Sequence, residues 1–360
     1  MKRGFIYLLA ATILALVGVA VLVPGEHSVE DSALNALLLP ELANSINEVD
    51  RVDIITAGDT VVATLKKAAG HWRLEQMGGY HVDWPKLQGL LAGLAQAKVV
   101  EVKTDKPEYY ARLGVEDVAN DDAGSVLVRL SSAAKTTGIL VGHEAQGRPG
   151  QYVRLQDSAA SALLDRTLDV PHQQLDWADK RIIDISASEV AEVEIIQPDA
   201  GRVFVTKISA DQIDFDLVGL PPDREIRSSW AVNSLGSVLT LLELESVRPV
   251  DSVDWQDAVR MRVLMFSGLE IMAEMVAADG TYLLRLSAGH PGAAIVRSSV
   301  SPADAARPDE NIAQQAIAEM ADRVTDINQR VSGWAYGITK YKFEAMVKTR
   351  EDILKPIESS

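Results

Sequence analysis

The chain has 360 residues, 47% of them hydrophobic and 24% charged, with a formal net charge of −16 and no cysteine. These proportions belong to folded protein, and the length exceeds what one ordinary core needs, so two domains are expected. The acidity opposes phosphate backbones, which makes nucleic acid an unexpected partner. The missing cysteines exclude thiolate nucleophiles, Cys-ligated zinc, iron–sulfur clusters and a cysteine-linked lipid anchor.

Lys2 and Arg3 precede an uncharged apolar run over residues 5–23, about the length that crosses a hydrocarbon core. Glu26, Glu30 and Asp31 follow it. Basic residues favour the cytoplasmic side, so the pattern predicts a short cytoplasmic N-terminus over residues 1–4 and a single transmembrane helix over 5–23. The rest of the chain then lies outside the cell (inner) membrane, in the periplasm. A cleaved signal peptide is the rival reading, but its small-x-small site, Gly18-Val19-Ala20, falls inside the apolar run. Residues 24–45 read as a juxtamembrane connector with an apolar patch at 34–39.

Regular structure then begins, and it begins twice. Val49, Val52, Ile54 and Ile55 open a strand that turns at Ala57-Gly58-Asp59; residues 61–65 return, and Trp72-Arg73-Leu74 make a third strand. Asp83 stands at the N-terminus of a helix with Leu87, Leu90, Leu91 and Leu94 on one face and Pro85 in its first turn. Residues 99–102 leave it extended, a short helix over 107–113 stops at Gly114, and strands are expected around 126–130, 139–141 and 152–155. A closing helix is expected around Ala159, Leu163 and Leu164. In the second half, residues 189–196 resemble 48–55, residues 203–206 stand where 61–64 stood, and Phe215-Asp216-Leu217 replaces Trp72-Arg73-Leu74. Ser229 is expected to cap a helix with Leu235, Val238, Leu239 and Leu242 on its apolar face. Strands at 261–266 and 269–275 follow, and a closing strand and helix at 334–338 and 343–354. The expected class is α+β: the membrane helix, then two tandem copies of an antiparallel sheet-plus-helix unit, 46–187 and 188–360.

The second copy carries extra chain over 279–332, with a strand-like stretch at 282–286 and a long helix. Ile312, Ala316, Met320, Val324, Ile327 and Val331 recur three or four apart along that helix as one apolar stripe. Such a stripe ordinarily packs on its own sheet; the alternative is a partner-binding face.

Four segments together resemble one family. They are Glu48 to Ile55, Trp72-Arg73-Leu74 after a Gly turn, Tyr80-His81-Val82-Asp83 opening a Leu-rich helix, and Tyr110-Ala111-Arg112-Leu113-Gly114-Val115-Glu116-Asp117 before a strand. With the N-terminal anchor, the chain over 46–354 resembles the bacterial family called domain of unknown function 4340. It departs from the usual pattern at Val115, where the family has Leu, and in its insertion. The resemblance carries no catalytic residue. It implies a setting beside ABC-2-type exporters and gliding-motility-like auxiliary subunits.

Residue patterns for chemistry are sparse. His27, His71, His81, His143, His172 and His290 are scattered without helical metal-ligand spacing. Ser132-Ala133-Ala134-Lys135 matches S-x-x-K but falls in a polar loop and lacks its companion motifs. The glycines of 142–147 have phosphate-loop spacing without the Lys-Ser/Thr pair, so a hairpin loop is expected. Glu116, Asp117, Asp121 and Asp122 read as an acidic turn without calcium-loop order. Trp72, Trp84 and Trp230 are expected in the core, with glycan stacking as the alternative. No catalytic residue, metal site or cofactor is expected. The function expected is a non-enzymatic accessory or scaffold subunit of a membrane complex, an ABC-type exporter. The alternatives are an envelope lipid- or polysaccharide-binding module and a hydrolase.

Overall fold

The computed structural model describes residues 34–199, 201–278, 280–291 and 310–357. The apolar run at 5–23 lies outside them; among the described residues no helix is long and apolar enough to cross a membrane. The chain is α+β and divides into two compact units. Among the described residues the first comprises 34–72 and 84–174, the second 73–83 and those from 175 to 357.

In the first unit a short helix, α1 (Leu42–Ser45), precedes β1 (Arg51–Thr56), β2 (Thr60–Ala68) and β3 (His71–Leu74). Beyond Trp72, midway along β3, the chain passes into the second unit, where it forms β4 (Tyr80–His81), and it returns at α2 (Trp84–Gln96). Leu87, Leu90, Leu91 and Leu94 are all buried, as a helical apolar stripe requires. Then come β5 (Val99–Val102), α3 (Tyr110–Leu113), β6 (Val126–Ser131), β7 (Thr136–Glu144), β8 (Gln151–Leu155) and β9 (Ser161–Leu164). Gly114 ends α3 with φ +67°, a left-handed cap that suits glycine. The sheet has nine strands, in the order β4-β3-β2-β1-β6-β7-β8-β9-β5. In place of the expected closing helix, Leu163 and Leu164 are strand: β9 pairs antiparallel with both β8 and β5, so its amides are satisfied across the sheet. Asp53, buried on β1, is paired with Arg51 at 2.9 Å and accepts from the Thr64 hydroxyl at 2.8 Å.

The second unit takes in β10 (Arg181–Ile183), β11 (Val190–Ile196), β12 (Arg202–Thr206), β13 (Asp216–Leu217) and β14 (Arg224–Ile226). After α4 (Ser229–Asn233) come β15 (Leu242–Glu243), β16 (Ser246–Pro249), β17 (Val259–Met265), β18 (Glu270–Ala278) and β19 (Thr281–Gly289). The chain then runs through α5 (Glu310–Val331), β20 (Trp334–Gly337), α6 (Lys340–Met346), α7 (Arg350–Ile353) and β21 (Leu354–Pro356). Its main sheet has eight strands in the order β13-β12-β11-β17-β18-β19-β20-β16. Residues 175–187, read from sequence as part of the first copy, belong here because β10 pairs with β15 and Trp177, Ile182 and Ile185 are buried.

The helix expected from Ser229 to Leu242 is cut short. Ser228, not Ser229, caps α4 by accepting from the Ala231 amide, and Leu242 is already strand. Two contacts explain the break. Gly236 lies so close under the Phe215 ring that a Cβ would not fit, and the Lys342 ammonium gathers the carbonyls of Ser237, Val238 and Thr240. Those carbonyls therefore need no further helical turn.

Candidate partner-binding surface

The stripe on α5 is the surface the sequence singles out, and its burial changes along the helix. Val331, at the C-terminal end, is 1% exposed. Ile327, Val324 and Met320 are half-buried, and Ile317, which flanks the stripe three residues before Met320, is 50% exposed. The side chains of Ile312 and Ala316 lie outside the described residues.

The closing turns of α5 pack along β19 and are fixed there by polar contacts. Asn328 accepts from the Ala288 amide at 2.8 Å and donates to the Ala288 carbonyl at 2.9 Å, completing both hydrogen bonds that an edge residue would otherwise lack. Arg330 pairs with Asp179 at 2.9 Å and donates to the Arg181 carbonyl. Arg323 and Glu189 approach to 3.5 Å between exposed side chains, which adds little. The last turns of the stripe thus complete the unit's own core, while Ile317 and Met320 keep apolar surface in water.

Near the start of this unit a cluster of buried polar rings surrounds β4. Tyr80 meets Trp334 and Tyr336 edge-on at 5.1 and 6.2 Å, and its hydroxyl donates to the Asp179 carbonyl at 3.2 Å. Burial pushes both phenols above the ordinary tyrosine range. Arg73 Nη1 stands 2.7 Å from His81 Nδ1. A guanidinium can only donate, so Nδ1 accepts and the ring is neutral. Burial, and then the Arg73 charge, lower the His81 pKa. Three lysines, Lys207, Lys342 and Lys348, are likewise lowered by burial. Lys342 and Lys348 hold backbone carbonyls, and Lys207 lies 4.4 Å from the centre of the Phe215 ring. These groups are engaged in holding short helices and a hairpin.

The other sequence features resolve into local structure. Ser132 and Lys135 sit in the β6–β7 turn, where the Ser132 hydroxyl bonds the Lys135 backbone and the ammonium pairs with Glu41 at 2.6 Å. That hydrogen bond, with the Lys135 charge, lowers the Glu41 pKa. His143 and Glu144 end β7, and the chain turns back into β8. In the acidic turn Asp117 pairs at 2.8 Å with Arg154, a buried guanidinium that also binds the Val115 and Ser158 carbonyls and stacks on Tyr110. Among the described residues no cluster of His, Asp or Glu is placed to hold a metal ion. Trp72 is half-buried, whereas Trp84 and Trp230 are exposed, the latter by 63%; the fully buried tryptophan is Trp177. Trp84 lies at the first, solvent-facing turn of α2, and Trp230 carries the Lys348 ammonium 4.9 Å from its ring centre. One hollow in the first unit has a volume of about 370 Å³; Leu38, Leu42, Leu130 and Leu155 line it, with Lys135 and Ser158 among its polar residues.

The architecture defines an α+β protein built chiefly on two antiparallel sheets. Residues 72–258 match the family Domain of unknown function (DUF4340), and the chain belongs to that family. The match is narrower than the likeness over 46–354 and falls on both units. No curated protein and no solved structure matches the chain.

Proposed function

We propose that the protein is a non-enzymatic accessory or scaffold subunit of a membrane complex, an ABC-type exporter. Residues 5–23 hold it at the membrane, with the two units on the extracytoplasmic side. The observation that carries this reading is the burial gradient on α5. A helix that only closed its own core would bury its stripe evenly, whereas this one is fixed at Asn328 and Arg330, buries Val331, leaves Met320 half-buried and keeps Ile317, at the stripe's flank, in water. That is the arrangement helix-in-groove docking uses. The choice of an exporter as partner rests on the setting implied by the family resemblance.

The two units are read as copies of one ancestral unit, and their strand orders support this. Apart from β4, an extra edge strand of the first sheet, each sheet runs third, second and first strand of a meander, then successive antiparallel strands, and ends on a strand reached soon after the helical segment. In this reading β19 and β20 take the places of β8 and β9, so the added chain begins after β19, later than the 279 expected from the sequence, and α5 lies within it.

The test uses the full chain with Ile317→Glu and Met320→Glu, purified with and without an ABC-2-type permease. The expected outcome is lost co-purification with unchanged melting. Retained capture by a folded variant would overturn the docking role of this face. Unfolding would instead assign the whole stripe to the core, because an unpaired carboxylate in a buried site is strongly disfavoured. A second reading, an envelope lipid-binding module, is favoured by the apolar-lined hollow of the first unit. Its polar rim is largely engaged in internal bonds, Lys135 with Glu41 and Thr136 with Ser131, so it ranks below the first.

A further inference from the structure

The two most exposed large apolar side chains of the described residues are Ile208, at 81%, and Ile213, at 86%. Both belong to the connection between β12 and β13, on the edge of the second unit's sheet. A mobile surface loop would not hold two isoleucines in a fixed place, but this one is braced from within. Gln212 accepts from the Ile208 amide at 2.9 Å and donates to the Asp214 carbonyl at 2.7 Å and the Asp216 carboxylate at 3.0 Å. Asn233 accepts from the Phe215 amide at 2.9 Å and donates to the Asp214 carboxylate. Phe215, buried between these contacts, lies over the Lys207 ammonium and against Gly236. Lys207 and Phe215 turn inward while Ile208 and Ile213 turn out.

Charge says what would cover them. Asp211, Asp214 and Asp216 are all exposed around the two isoleucines. The nearby cations are already occupied: Lys207 is buried, Lys348 faces Trp230, and Arg350 donates to the Gly219 carbonyl. A second copy of this chain, at −16, would bring like charge, and so would an anionic lipid surface. We propose that residues 208–216 dock a short protein segment carrying aliphatic side chains interleaved with Lys or Arg. Trp230 stands about one helical turn before Asn233 on α4. The surface is separate from α5, and the accessory-subunit reading does not depend on it.

The test measures binding of a synthetic peptide of alternating Leu and Lys to the full chain, against its Leu/Glu counterpart, with Trp fluorescence as the readout. Binding of the Leu/Lys peptide alone is expected. Ile208→Ser with Ile213→Ser should weaken it about tenfold or more, and Asp211→Asn with Asp216→Asn should weaken it and flatten its salt dependence. Asp121→Asn with Asp122→Asn, the same charge change in the first unit, should leave it unaltered. Both isoleucines are exposed, so the variants should keep the parent melting curve. Four results would overturn the proposal: equal binding of the two peptides, indifference to the isoleucine substitutions, an equal effect of the Asp121/Asp122 control, or loss of self-association as the sole consequence of the isoleucine change. Binding to phosphatidylcholine or phosphatidylglycerol vesicles that depends on Ile208 and Ile213 would also overturn it, by assigning the surface to lipid.

Discussion

Asn328→Ala removes the one side chain that completes both backbone hydrogen bonds of Ala288. Each neutral bond of this kind is worth about 1 kcal/mol net, so the pair sets a loss of about 2 kcal/mol. The second unit spans residues 73–83 and 175–360, a size at which each kcal/mol moves the midpoint by about 2–4 °C. A fall of about 4–8 °C in its transition is therefore expected, with the first unit's transition unmoved. Hydrogen exchange locates the effect. The Ala288 amide should lose roughly thirtyfold protection, which is the same 2 kcal/mol read at one site. Loosening should extend through the last turns of α5 and stop short of β11. A variant that melts within about 0.5 kcal/mol of the parent, with Ala288 still protected, would refute the fixed C-terminal half of α5 and the burial-gradient reasoning with it.

Four further outcomes follow from the same geometry. Because burial and Arg73 depress the His81 pKa, the unfolded chain takes up this proton first as pH falls. Stability contributed by the neutral ring is present above about pH 6.5 and is lost on going below it. Melting from pH 8 to 5 should show this loss, and His81→Gln should reduce it. Gly236→Ala forces a Cβ against the Phe215 ring and should destabilise the second unit by about 1–3 kcal/mol in denaturant titration. Trp177→Ala, at a fully buried site, should cost about 3–5 kcal/mol by the same assay. Ala119→Cys, at an exposed turn position in an otherwise cysteine-free chain, should react with a membrane-impermeant thiol reagent in intact spheroplasts. Labelling only after lysis would reverse the proposed topology.

What the sequence made legible was local. Leu87, Leu90, Leu91 and Leu94 repeat at helical spacing and are buried together, and Gly114 marks its helix end because a left-handed cap favours glycine. The meander strands alternate clearly enough to be found from either half. Short apolar runs are less decisive. Leu163 and Leu164 suit helix or strand equally, and pairing with the preceding strand β8 and with β5, distant in sequence, decides for strand. Spacing alone extends α4 too far because Leu235, Val238 and Leu239 do keep a helical period; the contacts that end it come from Phe215 and Lys342. On α5 the stripe is readable and its gradient is not, since position along a helix carries no record of where the sheet beneath it stops. Ile208 and Ile213 lie in a polar stretch without periodicity, and nothing in the sequence shows that Gln212 and Asn233 brace them outward.

Residues 73–83 belong with the second unit although the residues on both sides belong with the first. Neither unit is therefore a single stretch of chain, and this bears on the order of synthesis. When the ribosome has delivered the first unit's last residue, Gln174, the Tyr80 ring still lacks Trp334 and Tyr336, which emerge much later in translation. Until then Leu74, Tyr80 and Val82, all buried in the finished protein, have no complete site to enter. A nascent chain stalled before Trp334 would display this short apolar hairpin to chaperones and proteases, and cutting the gene at residue 174 would make that exposure permanent.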